Sequence, residues 1–149
     1  FELNRKAAKK IQIMGITPSV EHPPLPYVQK LDLNRYMGKW YEIQSLPNKH
    51  QAGCKQTVAT YSLKSDNSVE VLNECIKDGK KNEVKGKAWP ADDSGSGRLK
   101  VQFFAPFKGD YWVVDIDENY DWALVGTPKR TSLWFLSRTP TLNERVRRQ

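Results

Sequence analysis

Gly38-Lys39-Trp40-Tyr41 stands near the start of a regular pattern, and Trp134-Phe135-Leu136-Ser137-Arg138 stands near its end. A Gly-x-Trp that opens a first strand and an arginine that closes a last one suit a sheet that closes on itself. The two ends then meet, and the Arg138 guanidinium lies over the Trp40 indole at the sealed end of a barrel. Such a cation–π contact stabilises by roughly 0.5–2 kcal/mol, depending on how dry it is. A small barrel sealed at one end is a cup, and a cup holds a ligand.

Outward from these motifs runs a train of short alternating segments. The pattern predicts strands over 38–46, 55–63, 69–76, 82–89, 98–105, 110–117, 121–127 and 132–138. Turn residues separate them: Ser65-Asp66-Asn67-Ser68, Asp78-Gly79-Lys80, Asp92 to Gly97, Lys108-Gly109 and Pro128-Lys129-Arg130. The connections leave no room for crossover helices, which parallel strands need. The expected fold is therefore all-β, an eight-stranded antiparallel up-and-down barrel. Eight strands is the number whose interior holds one small ligand.

Alternation assigns the faces. In 98–105, Leu99, Val101 and Phe103 oppose Lys100 and Gln102. In 82–89, Val84, Gly86 and Ala88 oppose Lys85 and Lys87. In 55–63, Ala59, Tyr61 and Leu63 oppose Thr60 and Ser62. The inner row mixes small residues with a few aromatics, and small inward residues leave volume for a guest. Trp89, Phe104, Phe107 and Trp112 fall on the outer row or in loops, where they frame the mouth or await cover.

At 149 residues the chain reads as one domain. No apolar stretch is long enough for a membrane-spanning helix. Of the net charge of +7, residues 1–30 carry +3 and residues 142–149 carry +2, which leaves +2 on the body. That distribution argues against a nucleic-acid platform, and a basic tail touching anionic lipid is the sharper use of it. Residues 1–30, with Pro23-Pro24-Leu25-Pro26, read as a flexible extended arm or a tag preceding a barrel domain over 31–149. Thr141 and Glu144 form a capping box, so a C-terminal helix is expected to start there and to be cut short. The chain opens on Phe1, not Met, and without an apolar leader, as either a mature protein or an engineered piece would.

Cys54 precedes the second strand and Cys75 ends the third, opposite each other in a hairpin, so a disulfide is expected. It points to an oxidising compartment. No metal-ligand spacing, catalytic triad or phosphate-binding loop stands out, and no cofactor is expected.

The motifs resemble the lipocalin family. Asn34-Arg35-Tyr36-Met37-Gly38-Lys39-Trp40-Tyr41-Glu42-Ile43, Ala59-Thr60-Tyr61-Ser62-Leu63, Phe104-Ala105-Pro106-Phe107 and Leu136-Ser137-Arg138-Thr139-Pro140 are similar to the bacterial lipocalin (outer-membrane lipoprotein) and apolipoprotein D branch. The likeness covers about 32–145. The family's Thr-Asp-Tyr motif stands here as Ile116-Asp117-Glu118 in a longer turn, with Asp117 in the turn role. The resemblance implies non-enzymatic binding and transport or storage of a small hydrophobic molecule, a fatty acid or lysophospholipid, in the periplasm, at the outer membrane or outside the cell. It also implies that Tyr111, Val113 and Asp115 point inward. Together with parity, this gives a ligand wall of Tyr61, Val71, Val84, Ala88, Val101, Phe103, Tyr111, Val113, Trp134 and Leu136, with Glu42 and Asp115 as polar anchors. Gly38, Trp40, Asp117 and Arg138 are the structural signature. Association with a membrane surface and a homodimer are further partner expectations. Two other classes stay open: a lipid-modifying enzyme with a free Cys54 or Cys75 thiol, as in prostaglandin D synthases, and an interaction protein whose barrel is filled by side chains.

Overall fold

Asp32 stands at the base of the barrel, just ahead of the first strand. Its side chain accepts hydrogen bonds from the amides of Asn34 and Arg35, which caps a single helical turn, α1 (Leu33–Tyr36). In the computed structural model, residues 23–46 and 53–141 are described. Eight strands follow α1: β1 (Gly38–Ser45), β2 (Lys55–Leu63), β3 (Val69–Lys77), β4 (Lys80–Pro90), β5 (Arg98–Phe104), β6 (Phe107–Ile116), β7 (Trp122–Gly126) and β8 (Leu133–Ser137). Each pairs antiparallel with the next, and β8 closes on β1, so the sheet closes into a barrel. The expected fold and all eight expected strands are present. The C-terminal helix predicted from Thr141 and Glu144 lies outside the described residues.

Glycine at position 38 is a geometric requirement. Its φ is +97°, and a Cβ there would stand 3.4 Å from Nη1 of Arg138. Only glycine adopts this backbone cheaply and leaves room for the arginine.

The core divides by face. Trp40, Tyr61, Val69, Val71, Ala88, Val113, Ala123, Val125 and Leu136 pack inside the barrel. Leu25, Val114, Trp122, Leu124, Leu133 and Phe135 form a second cluster on the outer face. Strand β7 is buried on both sides as a result.

Residues 23–30 were expected to be part of a flexible arm, and they are docked instead. Val28 donates to the Val113 carbonyl and accepts from the Gly97 amide, while Leu31 donates to Gly95. Leu25 is 4% exposed in the outer cluster, and Tyr27 packs edge-on against Trp112 at 5.3 Å. The arm thus covers Trp112, one of the aromatics that parity left outside.

Two further expectations need correction. Val84 keeps its inward parity but is 41% exposed. Strand β5 pairs with β4 only from Lys87 to Pro90, so the outer half of β4 projects past the β5–β6 hairpin, and Val84 projects with it. Asp115 does not face the interior. A bulge between Val113 and Asp115 sets Asp115 opposite Leu124, a member of the outer cluster, and Ile116 opposite the inward Ala123. One extra residue reverses the parity of everything after it. The smallest inner residue also serves differently than expected: a Cβ on Gly86 would fall 2.6 Å from the Phe103 ring, so that space is already filled by an aromatic rather than left for a guest.

Candidate functional site: a cup with a tyrosine floor

The chain's path gives the barrel two unlike ends. α1 and the loops 64–68, 91–97 and 117–121 lie at one end, and the turns 78–79, 105–106 and 127–132 at the other.

The first end is closed by Arg138. Its guanidinium carbon sits 3.7 Å from the Trp40 ring centroid. Its nitrogens donate to four main-chain carbonyls: Tyr120 at 3.1 Å, Met37 at 2.9 Å, Lys39 at 3.1 Å and Arg35 at 2.6 Å. Desolvation pulls its pKa down, against the field of Tyr36 and Asp121. Trp40 is fully buried and donates its indole N–H to the Tyr36 carbonyl at 2.8 Å. Asp117 takes the turn role expected of it: it is 3% exposed and accepts from the amides of Asn119 and Asp121.

Above this plug lies a cavity with about 820 Å³ of space not filled by atoms, the solvent at its open mouth included. Strand by strand, the sequence-predicted wall residues meet there. Tyr61 and Val71 come from β2 and β3, Ala88 from β4, Val101 and Phe103 from β5, Tyr111 from β6, and Trp134 and Leu136 from β8. Glu42, opposite Leu136, lines the same space. Val113 faces inward but sits beneath the cavity, fully buried, two residues closer to the base than Tyr111. Val84 and Asp115 are not in the wall, for the reasons given above.

Sequence reasoning overlooked several neighbours. Ala59 and Leu99 line the cavity and share the parity of Tyr61 and Val101, so the signal was available. Tyr36 and Met37 lie outside any strand, where parity is silent.

Tyr36 matters most among these. Its hydroxyl lies 2.6 Å from that of Tyr111, which lies 2.8 Å from that of Tyr61. The Tyr36 and Tyr61 rings stack at 5.7 Å, and Tyr111 meets both edge-on. Burial raises all three phenol pKa values. That of Tyr61 is pushed to about 12, mainly by desolvation, with the charge of Glu42 adding to it. Tyr36 and Tyr111 are raised well above the usual value, again mainly by desolvation; Tyr61 adds to the rise of Tyr36, against the Tyr111 hydrogen bond and Arg138, and both neighbours add to that of Tyr111. All three are neutral phenols at ordinary pH.

Near the mouth, Cys54 and Cys75 are joined in a disulfide with Cα atoms 5.4 Å apart. Both cysteines of the chain are therefore bonded.

A lipocalin-like domain family model matches residues 31–149. The chain is a lipocalin. Temperature-induced lipocalin-1 of Arabidopsis thaliana is 41% identical over 138 residues, covering 87% of this chain and 74% of the relative. The outer membrane lipoprotein Blc of Vibrio cholerae is 41% identical over 122 residues, covering 80% of this chain and 71% of the relative. Among solved structures, insecticyanin from the tobacco hornworm Manduca sexta superposes with a TM-score of 0.70 at 23% identity, covering 83% of this chain and 72% of that one. The match to outer-membrane lipoproteins agrees with the branch that the motif wording implied. Lipocalins bind small hydrophobic ligands, and the cup of this lipocalin is built for one.

Proposed function

We propose that this lipocalin is a non-enzymatic carrier of a single-chain amphiphile, a fatty acid or lysophospholipid, held with its acyl chain in the cup and its head group at the mouth. The observation that carries this reading is the distribution of charge. Among the described residues that line the cavity there is no lysine, arginine or histidine, and the wall is mostly apolar. Lys55, Lys77, Lys80 and Lys108 stand exposed at the strand ends that frame the mouth. An acyl chain gains about 0.8 kcal/mol for each methylene taken out of water, while the anionic head keeps its hydration and meets the lysines.

The same end suits collection from a lipid surface. Phe104 and Phe107 face each other at the tip of the β5–β6 hairpin and are 71% and 77% exposed. Aromatic residues beside lysines suit the boundary of an anionic bilayer. The Cys54–Cys75 bond fits an oxidising setting, such as a periplasm with its outer membrane or the extracellular space. It also occupies both thiols that a cysteine-based lipid enzyme would need, which favours the carrier.

Native mass spectrometry of the purified protein, with displacement of a fluorescent fatty acid, tests the proposal. Saturable displacement by palmitate and lysophospholipid supports it. No uptake of any single-chain lipid overturns it. The same spectra report a homodimer directly.

A further inference from the structure

The base of the cup holds a hydrogen-bonding group that an acyl tail does not need. Three phenol hydroxyls contain three protons. They make two contacts, Tyr36 to Tyr111 and Tyr111 to Tyr61. Each contact uses one proton, and Tyr111 can donate only once. In every arrangement one proton remains: on Tyr61 if the chain of donors runs from Tyr36, on Tyr36 if it runs from Tyr61, and on Tyr111 if both neighbours donate to it. All three side chains line the cavity. A buried hydroxyl proton without an acceptor is costly, so the place is prepared for an acceptor.

The charge of that acceptor is constrained as well. The described lining has no basic side chain; of its two carboxylates, that of Asp110 is paired with Lys100 at 2.5 Å. The nearest guanidinium, Arg138, stacks on Trp40 and is engaged by four main-chain carbonyls. An anion at the cup's base would meet three neutral phenols, and no described lining residue would offer it a positive charge.

We propose that Tyr36, Tyr61 and Tyr111 form a polar subsite that selects amphiphiles bearing a neutral oxygen, a hydroxyl or carbonyl, on the end of the chain that reaches the base. The subsite rests on the carrier reading above and sharpens it: the anionic head stays at the lysine rim, and the deep end of the preferred ligand is oxygenated but uncharged.

The test compares palmitate, omega-hydroxypalmitate and the corresponding omega-dicarboxylic acid on the wild-type protein. It then repeats the first two on the triple variant Tyr36→Phe, Tyr61→Phe, Tyr111→Phe. A purely apolar floor would bind the hydroxy acid about tenfold more weakly than palmitate, since the hydroxyl would be buried unpaired. The expected result is the reverse. Wild type binds omega-hydroxypalmitate at least as tightly as palmitate, up to about tenfold more tightly, and binds the diacid more weakly than either. In the triple variant the preference inverts: the hydroxy acid binds about tenfold more weakly than palmitate, whatever the variant's own affinity for palmitate. Wild type that already disfavours the hydroxy acid, or a triple variant that keeps the wild-type preference, overturns the subsite while leaving the carrier intact. If the triple variant does not fold, the wild-type ratio decides alone. Binding of none of the three acids removes the carrier reading and the subsite together.

Discussion

The two ends of this barrel are built on opposite principles. At the base, Arg138 satisfies four carbonyls and covers Trp40, Asp117 holds the last turn, and three tyrosines lock into one another. At the mouth, two phenylalanines stand in solvent and lysines line the strand ends. Stability is concentrated where the first and last strands meet, and exposed apolar surface at the open end. The difference shows how a barrel with an open cavity still stands: the plug and the packed clusters at its base hold the fold, and the mouth is left open.

Mutations should separate the ends by size of effect. Arg138→Ala leaves several base carbonyls without a donor, and we expect a loss of about 3–5 kcal/mol in urea unfolding. A loss below about 1 kcal/mol would mean that the plug is decorative. Arg138→Lys should recover only part of it, since one ammonium does not replace a planar fork of donors.

Next comes the one covalent tie near the mouth. Replacing Cys54 and Cys75 together by serine opens a link across 21 positions. In the chain-entropy model that costs about 3 kcal/mol, seen as a lower urea midpoint in the absence of reductant. An unchanged midpoint would show the mouth to be stable without its tie.

Alkaline pH probes the floor. A phenol whose folded pKa is raised stabilises the fold fully below the unfolded value and loses that contribution as pH rises through the folded one. For Tyr61 the window runs from 10.0 to about 12. Its passage costs about 2–3 kcal/mol. Tyrosinate absorbance should show Tyr36, Tyr61 and Tyr111 ionising late among the six tyrosines. Ionisation of Tyr36, Tyr61 and Tyr111 near the ordinary phenol value of 10.0 would break the account of the floor.

The smallest effect on stability belongs to the rim. Phe104→Ser with Phe107→Ser should shift folding by less than about 0.5 kcal/mol while reducing binding to anionic vesicles. Undiminished vesicle binding would detach these rings from any membrane role.

Much of this was legible in the sequence, and the failures have local causes. Lysine rows on β4 and β5 placed Ala88, Val101 and Phe103 in the wall without ambiguity. In β6 the run Tyr111-Trp112-Val113-Val114 is apolar on both rows, so nothing in it announces the bulge that turns Asp115 outward. Val84 failed for another reason: parity says which face a residue takes, not whether a neighbouring strand reaches that far. Tyr61 and Tyr111 were legible as wall residues, but their hydrogen-bonded contact with Tyr36 was not, because the partners are 75 and 50 residues apart and one lies in a helical turn. Only closure of the barrel brings them together.

The central claim is that the space above the tyrosines is a binding cup rather than unfilled core. Ala88 is 4% exposed, lines that space and pairs with Val69 and Val101 across two strands. Displacement of a fluorescent fatty acid, measured for wild type, Ala88→Trp and Lys87→Trp, tests it most directly. The account predicts that Ala88→Trp fills the cup and abolishes binding with the barrel still folded by circular dichroism, while Lys87→Trp binds like wild type. Wild-type binding by Ala88→Trp, with loss in Lys87→Trp, would contradict it.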